Sequence, residues 1–575
     1  MPSTTLPNDP SVPTSGSQRR KKIIVEPGQD AKQAVFAVAL LLLLSAVMFF
    51  IGLGKLPLIG PDEPRYAEVA REMFSTRDFV SPKLCGCPWF EKPALLYWMA
   101  AGSFRVFGVS EFSARLPCAL LAGAVVFFLY FAVRRVSRAS TAFFVCLVLA
   151  TSPMFVGYAR AAVTDMPLTA TLAIALISVY LSTYSRGKAR LGYWLLAWAS
   201  AGLAVLAKGL VGIVLFVTIA GITWLFIRRP GYVRWWHLVL GASTFLALAA
   251  TWYFPIIDRY GEAFIREFFI NHHFKRYLTN EYHHPEPFYF FPAIALGGIA
   301  PLTFYLVPAI AGLGKLRRRE ESEALRHLRI LAWVWFVAPV LFFSFSESKL
   351  PGYILPAFPA LAIIVGLELD ALWRGHQSRT LTLGSGLTAL TLVAIGVAFA
   401  VYTARESSGL SSAAKLIYLA PLALGLAAVA SLAASRVRPF LVCCASFAPT
   451  ITVAGLLVLI PVLAPTLSFK ELSLQVGRSL GSSEKIAFFV DRQYAPVFYT
   501  QGRVLCGGKG SDVLNAMSTD ELVEALSARH TLIVITNSKW VKSLLADKRY
   551  AAELIGQQRD ELAFRLIPAP QPGSL

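Results

Sequence analysis

Long blocks of apolar residues constrain this chain more than any other feature of its sequence. Residues 34–44 and 392–401 contain no polar side chain, and similar blocks recur along the chain. The chain is 56% hydrophobic and only 15% charged, whereas a soluble protein is about 25% charged. Since a helix that crosses a bilayer needs about 20 mostly apolar residues, the sequence predicts a polytopic α-helical membrane protein.

Thirteen segments have the composition of membrane spans. They cover residues 33–53, 114–133, 141–158, 167–183, 191–206, 209–227, 237–256, 288–311, 329–346, 352–371, 380–402, 414–434 and 439–463. Lys and Arg collect before the first span and in every second loop, at 19–22, 134–138, 186–190, 228–234, 315–319, 374–379 and 436–438. Cytoplasmic loops carry this excess, so we expect a bacterial inner-membrane protein with a cytoplasmic N-terminus and a periplasmic C-terminus. This topology explains much of the net charge of +20, and nucleic-acid binding is not expected.

The segments outside the spans predict three further regions. Residues 1–32 are rich in Ser, Thr and Pro and predict a disordered cytoplasmic tail rather than a signal peptide. Within the transmembrane domain, 33–464, the charged outer segments 54–113 and 257–287 predict juxtamembrane helices at the interface. Residues 465–575 predict a small periplasmic α/β domain, because 485–490 and 531–535 are typical of buried strands and Ser518 is typical of a helix cap.

The densest group of charges follows the first span, at residues 60–68. Asp62 and Glu63 are adjacent, with Arg65 and Tyr66 close behind, and charged groups at a membrane surface often mark function. The alternative is a plain helix start, in which Asp62 caps the helix and Pro64 lies in its first turn.

An ion pair and a single carboxylate lie on the same predicted face. Glu91 and Lys92 stand between prolines and aromatic residues, and Lys92 is suited to bind a phosphate; the alternative is a surface ion pair. Asp165 lies in a short outer turn between two spans, where it is either functional or a helix cap.

The outer loops also contain further cations. Lys349 and Tyr353 lie between two spans and are suited to a phosphate, although snorkelling at a helix end is the alternative. His272 and His273 precede Arg276, and adjacent His side chains diverge on a helix. One of the two with Glu91 would bind a divalent metal ion; contact with lipid phosphate is an equal alternative.

All these groups lie at span ends on one face, with carboxylates for chemistry and cations for an anionic head group. The pattern favours an enzyme that acts on a polyprenyl phosphate or phospholipid. A transporter places its ionisable residues nearer the bilayer midplane.

The motifs together resemble one known family, the bacterial aminoarabinose transferases of the ArnT type. They match in order at residues 62–68, 90–93, 97–98, 115–117, 164–167, 207–209 and 349–356. The resemblance implies a GT-C fold related to protein O-mannosyltransferases, with thirteen spans and a periplasmic C-terminal domain. It also implies transfer of 4-amino-4-deoxy-L-arabinose from undecaprenyl phosphate to a lipid A phosphate, which confers resistance to polymyxin and cationic peptides. The mechanism we expect for this transfer is a single inverting displacement at the anomeric carbon.

The resemblance also implies roles for individual residues. The acidic residues of the active site would be Asp62 and Asp165, and the carrier phosphate would be held by Lys92, Arg276, Lys349 and Tyr353. A zinc or other divalent ion would be bound by Glu91 with His272 or His273, and no organic cofactor is expected. Further candidates within the motifs are Glu63, Arg65, Tyr66 and Lys208.

Two alternatives stay open at this stage. A transferase of the same fold with another sugar or acceptor, including protein hydroxyls, would share these motifs, and a lipid carrier without enzymatic activity is a third reading. Cys85 and Cys87 depart from the family pattern; they are too close for a zinc knuckle, and a disulfide between them would be strained.

Overall fold

The chain is mostly helical. The computed structural model describes residues 27–227, 234–275, 286–313, 322–406, 417–507 and 513–569. The α-helices are α1 Pro27–Ser45, α2 Asp62–Thr76, α3 Leu95–Phe107, α4 Glu111–Val136, α5 Ala139–Thr151, α6 Pro153–Ala159, α7 Asp165–Tyr184, α8 Gly187–Lys208, α9 Val211–Ile227, α10 Trp235–Phe264, α11 Phe290–Gly298, α12 Leu306–Ala311, α13 Glu323–Ser344, α14 Phe358–Trp373, α15 Arg379–Glu406, α16 Ala420–Ala433, α17 Val437–Ala454, α18 Ile460–Leu467, α19 Lys470–Ser479, α20 Ala495–Tyr499, α21 Thr519–Ser527 and α22 Val541–Leu545.

Shorter helical segments and strands complete the described elements. The π-helical segments are Ala46–Phe50, Ile265–Lys275 and Gly455–Leu459, and the 3₁₀ segments are Leu302–Tyr305, Pro351–Ala357 and Ser538–Trp540. The strands are β1 Lys83–Leu84, β2 Cys87–Pro88, β3 Ile486–Phe489, β4 Asn515–Ala516, β5 Leu532–Asn537, β6 Tyr550–Gln558 and β7 Glu561–Pro568.

Membrane-spanning helices can be counted by length and composition. In the described ranges nine helices are long and apolar enough to span a bilayer, and there are up to eleven if two bent pairs each form one span. The pairs are α5 with α6, bent by 66°, and α11 with α12, bent by 106°. Two shorter apolar helices, α9 and α16, also coincide with predicted spans. A polytopic helical protein is confirmed, and the number thirteen stays a prediction.

The helices form an inner and an outer group. Protein surrounds α7 and the Pro351–Trp373 segment, whose most apolar windows are 83% and 89% buried. The windows of α1 and α10 are only 28% and 17% buried. The outer helices thus expose apolar side chains where lipid tails would contact them.

The charged residues lie at opposite ends of the same helices. Helix α7 begins at Asp165 and runs toward Arg186, while α8 returns from Gly187 to Lys208. Helix α4 likewise ends in a turn that carries Arg134 and Arg135. The basic loops and the candidate site residues are therefore at opposite ends of these helices.

The chain after the last apolar helix contains a five-stranded sheet of order β4-β3-β5-β7-β6. Strand β3 pairs in parallel with β4 and β5, whereas β7 is antiparallel to β5 and β6. The predicted strands at 485–490 and 531–535 are present, and Ser518 caps α21 by accepting a hydrogen bond from the Glu521 amide. Residues 465–575 as a separate domain remain a prediction.

The sheet region is fastened to the outer segment that follows α1. Cys87 forms a disulfide with Cys506, 419 residues further along the chain, while Cys85 is free. Tyr499 donates a hydrogen bond to Glu111 at 3.0 Å. The structure thus connects Cys87 to the C-terminal region and not to Cys85.

Candidate active site

A cavity of about 680 Å³ opens at the end of the helix bundle that is opposite the basic loops. Its walls combine charged groups from the outer segments with apolar side chains from membrane helices. The lining residues are Asp62, Tyr66, Glu91, Lys92, Tyr158, Val163, Thr164, Asp165, Lys208, Leu210, Val211, Val214, His272, Phe342, Phe343, Ser346, Leu350, Pro351, Gly352 and Tyr353.

Asp62 is the first residue of α2, after Pro61 at the N-cap position. It does not cap the helix through its side chain; its Oδ1 instead accepts a hydrogen bond from Arg65 Nη2 at 2.5 Å. The Asp62 side chain is 43% exposed, which leaves part of the carboxylate open to the cavity. The capping alternative for Asp62 is therefore wrong.

Arg65 does not line the cavity but lies directly behind it. Its side chain is only 14% exposed and also lies 3.6 Å from an oxygen of Glu91. Burial alone would lower the pKa of Arg65, but the carboxylates of Glu91 and Asp62 and the Tyr66 hydroxyl outweigh burial and raise it. Arg65 thus stays charged and links the two carboxylates.

Tyr66 follows on the same helix and lines the cavity. Its side chain is buried, and burial followed by the carboxylates of Asp62 and Glu91 raises the pKa of its hydroxyl. The phenol therefore remains a neutral hydrogen-bond donor beside the two carboxylates.

Glu91 and Lys92 form a partly buried ion pair in the loop between β2 and α3. Lys92 Nζ lies 2.9 Å from Glu91 Oε1, and the two side chains are 13% and 10% exposed. Burial of this kind strengthens electrostatic interactions relative to a solvated surface pair. The surface-pair alternative is wrong, because both residues line the cavity.

Asp165 and Lys208 form the opposite wall. Lys208, the last residue of α8, places Nζ 2.6 Å from Asp165 Oδ1 and 4.9 Å from the centre of the Tyr353 ring. Gly352 makes room for this group, since a Cβ there would lie 2.5 Å from Asp165 Oδ1 and 2.6 Å from the Tyr158 hydroxyl.

Glu63 points away from the cavity into the protein. It forms a buried bidentate pair with Arg115 at 2.7 and 2.8 Å, and also accepts from the amides of Ile59 and Ala162. Arg115 in turn donates to three carbonyls of the loop before α2. Glu63 thus ties α2 to the turn before Asp165, and its place in the fold is structural.

The remaining predicted residues differ in their relation to the cavity. Lys349 is buried, at 8% exposure, but is not among the lining residues although Leu350 is. Arg276 lies outside the described residues, and the same holds for the side chain of His273. His272 lines the cavity, with Nε2 3.2 Å from Glu267.

The predicted metal site is only partly covered by the described residues and stays a prediction. Of the named ligands only Glu91 and His272 have described side chains, and Glu91 already faces two cations, Lys92 and Arg65. Within the described ranges no group of three or more His, Cys, Asp and Glu side chains is placed to hold a metal ion. A protein zinc site uses three or four such ligands, so no step is assigned to a metal.

Two tyrosines of the site were missed by the sequence analysis. Tyr158 lines the cavity beside Asp165, and Tyr494 places its ring 4.7 Å from the Arg65 guanidinium. A tyrosine in a span and a tyrosine 430 positions from the first motif carry no local signal. Only the tertiary fold brings them to the site.

The cavity is chemically amphipathic. Three acidic and two basic side chains line the same cavity as several apolar ones. The charged residues are Asp62, Glu91, Asp165, Lys92 and Lys208, and the apolar residues include Leu210, Val211, Val214, Phe342 and Phe343. Lys can bind phosphate as a point charge, and apolar walls favour a hydrocarbon chain. A lipid with a phosphorylated head group suits this cavity, because its phosphate would contact the lysines and its hydrocarbon chain the apolar side chains.

Comparison with known proteins shows which sequences and folds this chain resembles. The sequence model for dolichyl-phosphate-mannose-protein mannosyltransferase matches residues 91–254. An undecaprenyl phosphate-alpha-4-amino-4-deoxy-L-arabinose arabinosyl transferase from Pseudomonas fluorescens is 31% identical over 64% of this chain and 65% of its own length. An uncharacterized protein from Aquifex aeolicus is 32% identical over 57% of this chain and 72% of its own length. The crystal structure of ArnT from Cupriavidus metallidurans bound to undecaprenyl phosphate has a TM-score of 0.75 at 24% identity, covering 93% of this chain and 99% of that one.

The chain is similar in sequence to aminoarabinose transferases and in fold to ArnT. The ArnT likeness extends through the membrane region and the C-terminal sheet, because the superposition covers nearly the whole chain. It establishes an ArnT-like, GT-C-related fold. The sequence alignment with the Pseudomonas fluorescens relative spans 65% of that relative.

Proposed function

We propose that this chain is an integral membrane glycosyltransferase that moves 4-amino-4-deoxy-L-arabinose from undecaprenyl phosphate to a phosphate of lipid A. The observation that carries the proposal is the cavity itself, in which carboxylates and cations adjoin an apolar wall. The names of the relatives supply the sugar and its carrier. Lipid A as acceptor, and the resulting resistance to polymyxin and cationic peptides, are part of the same proposal.

The reaction we propose is one inverting displacement at the anomeric carbon. An oxygen of the lipid A phosphate attacks that carbon, the bond to the carrier phosphate breaks, and the electron pair leaves with undecaprenyl phosphate. Since a phosphate acceptor is already anionic, no base needs to remove a proton. The residues therefore act by charge and position.

Cations are assigned to the leaving phosphate. Lys92 stands on the cavity wall and is held in place by Glu91, so it is poised to stabilise the charge that grows on the carrier phosphate. Arg276, Lys349 and Tyr353 are proposed as further ligands of that phosphate. Of the two that the structure describes, Lys349 and Tyr353, Tyr353 lines the cavity.

Carboxylates are assigned to the sugar and the acceptor. Asp62 is open to the cavity and is proposed to orient the acceptor or to pair with the ammonium group of the sugar. Asp165 is paired with Lys208 and is proposed to hold the other side of the sugar. Both roles need position more than proton transfer.

We further propose thirteen spans. Helix α9 begins beside the cavity. Helix α10 and the π-helical segment that follows it return to the cavity wall at His272. Helix α9 must therefore cross to the opposite side of the membrane. Its 17 residues rise about 25 Å. Helix α16 ends beside Arg436 at the basic end, where α15 also begins, so it too completes a crossing. With the nine long helices and the two bent pairs, these make thirteen.

In the proposed orientation the cavity opens on the periplasmic side of the inner membrane. The basic loops lie at the opposite helix ends, and such loops are retained in the cytoplasm. The disulfide between Cys87 and Cys506 supports the same assignment, because disulfides persist in the periplasm and are rare in the cytosol. A cytoplasmic N-terminus and periplasmic C-terminal region follow.

The experiment is mass spectrometry of lipid A from a polymyxin-sensitive strain that lacks its own transferase and carries this gene. An added aminoarabinose mass with wild type and its absence with Asp62→Ala would support both reaction and site. Asp78→Asn is the matched control, because Asp78 lies in the same outer segment and pairs with Arg259 rather than lining the cavity. It should retain modification.

A second candidate uses a hydroxyl acceptor. The mannosyltransferase match covers the segment that contains Lys92, Asp165 and Lys208, and with a hydroxyl Asp62 would be the natural base. No added mass, despite membrane expression and donor supply, would move the assignment to this candidate or to another sugar. Transport of a lipid carrier without transfer would instead survive Asp62→Ala.

A further inference from the structure

The C-terminal region reaches the candidate site through one side chain. Tyr494, half-buried in the turn between β3 and α20, places its ring 4.7 Å from the Arg65 guanidinium. Trp89 places its ring 5.3 Å from the same group. The hydroxyl of Tyr494 accepts a hydrogen bond from Arg492 at 3.0 Å. Arg65 is thus contacted by one ring from the outer segment and one from the C-terminal region.

Arg65 is a demanding group to position. It must keep Nη2 on Asp62 at 2.5 Å and Nη1 within 3.6 Å of Glu91. The Arg side chain has many rotamers, and fixing them costs conformational entropy. Aromatic rings that contact the guanidinium reduce this freedom and add cation–π attraction.

The segment that carries Tyr494 is itself anchored at and just after the end of α20. Tyr499 donates to Glu111 and accepts from the Leu58 amide at 2.9 Å. Arg71 of α2 donates to the Gln501 carbonyl at 2.9 Å. The Cys87–Cys506 disulfide closes the attachment covalently. The Tyr494 ring is therefore held against Arg65 by a fixed frame.

We infer that Tyr494 is a positioning residue for the reaction: it fixes Arg65 and, through Arg65, sets the geometry of Asp62 and Glu91. The C-terminal region then contributes a side chain on which the geometry of the site depends. This inference rests on the proposed transferase function. A desolvated cation–π contact of this kind corresponds to a change of about tenfold in rate.

The test measures kcat and KM for the lipid-linked sugar with purified full-length protein. Tyr494→Leu should lower kcat about tenfold with little change in KM, whereas Tyr494→Phe keeps the ring and should restore most of kcat. In an Arg65→Ala background, Tyr494→Leu should cause no further loss, because the contact through which it acts is gone.

A matched control separates positioning from docking. Tyr499→Leu removes a second tyrosine of the same interface, one that contacts Glu111 and Lys470 but not Arg65. It should lower Tm at least as much as Tyr494→Leu while lowering kcat less. A kcat that follows Tm across these variants, or a full Tyr494→Leu loss in the Arg65→Ala background, would overturn the inference. Inactive wild type would refute the transferase proposal instead.

Discussion

Replacing Gly352 by alanine is expected to damage catalysis far more than folding. The new Cβ would lie 2.5 Å from Asp165 Oδ1 and 2.6 Å from the Tyr158 hydroxyl, whereas ordinary contact begins at 3.4 Å. The Asp165 carboxylate must therefore shift by about 0.9 Å. It can do so because it faces the open cavity, but the shift disturbs the 2.6 Å contact with Lys208.

The size of the effect follows from this displacement. A misplacement of about 1 Å in a catalytic group can cost about 100-fold in rate. The loss of stability should stay within about 1–3 kcal/mol, the range for mild overpacking. Initial rates of sugar transfer and the Tm of the purified protein measure the two effects separately.

Gly157→Ala is the matched control for this experiment. Gly157 is exposed in α6, and a Cβ at that position would meet nothing within 4 Å. This variant should keep wild-type activity and gain slightly in stability, since Ala is favoured over Gly in a helix. A Gly352→Ala rate within threefold of the Gly157→Ala rate would refute the placement of Asp165 in the reaction.

Three further outcomes follow from the described contacts. Arg115→Met should lower stability by about 3–5 kcal/mol, because it strands a buried carboxylate; a Tm near wild type would contradict this. Burial raises the pKa of Glu68 to about 8 from an ordinary 4.5, so the folded state binds the proton more tightly than the unfolded state does. The resulting stabilisation is full below about pH 4.5 and is lost as pH rises through about 8. Tm should fall across that range, and Glu68→Gln should flatten the fall; an unchanged slope would exclude Glu68. A protease site inserted at 375–378 should give two fragments that separate on a denaturing gel only with reductant, because Cys87 and Cys506 join them; separation without reductant would disprove the bond.

The sequence predicted the membrane architecture well because lipid imposes a length and a polarity on each span. The groups around Asp62, Glu91 and Asp165 were also found from local motifs, and the structure brings them to one cavity. Local motifs could not show which of the two adjacent carboxylates, Asp62 or Glu63, lines the cavity. That depends on the folded backbone, which directs Glu63 toward Arg115.

Long-range partners were beyond sequence reasoning. Nothing near Cys87 indicates that its partner is Cys506, and nothing near Tyr494 indicates a contact with Arg65. Such pairs depend on how the last part of the chain packs on the first, which no periodicity or spacing encodes. The metal site stays a prediction, and residue types alone could not show that Glu91 is held between two cations.

The Cys87–Cys506 bond also has a consequence for how the protein is made. Its two cysteines are separated by 419 positions, and nearly every membrane helix is synthesised between them. The bond therefore cannot close until nearly all of the membrane helices have been synthesised. Formation of this single crosslink therefore reports that the two ends of the membrane region have come together.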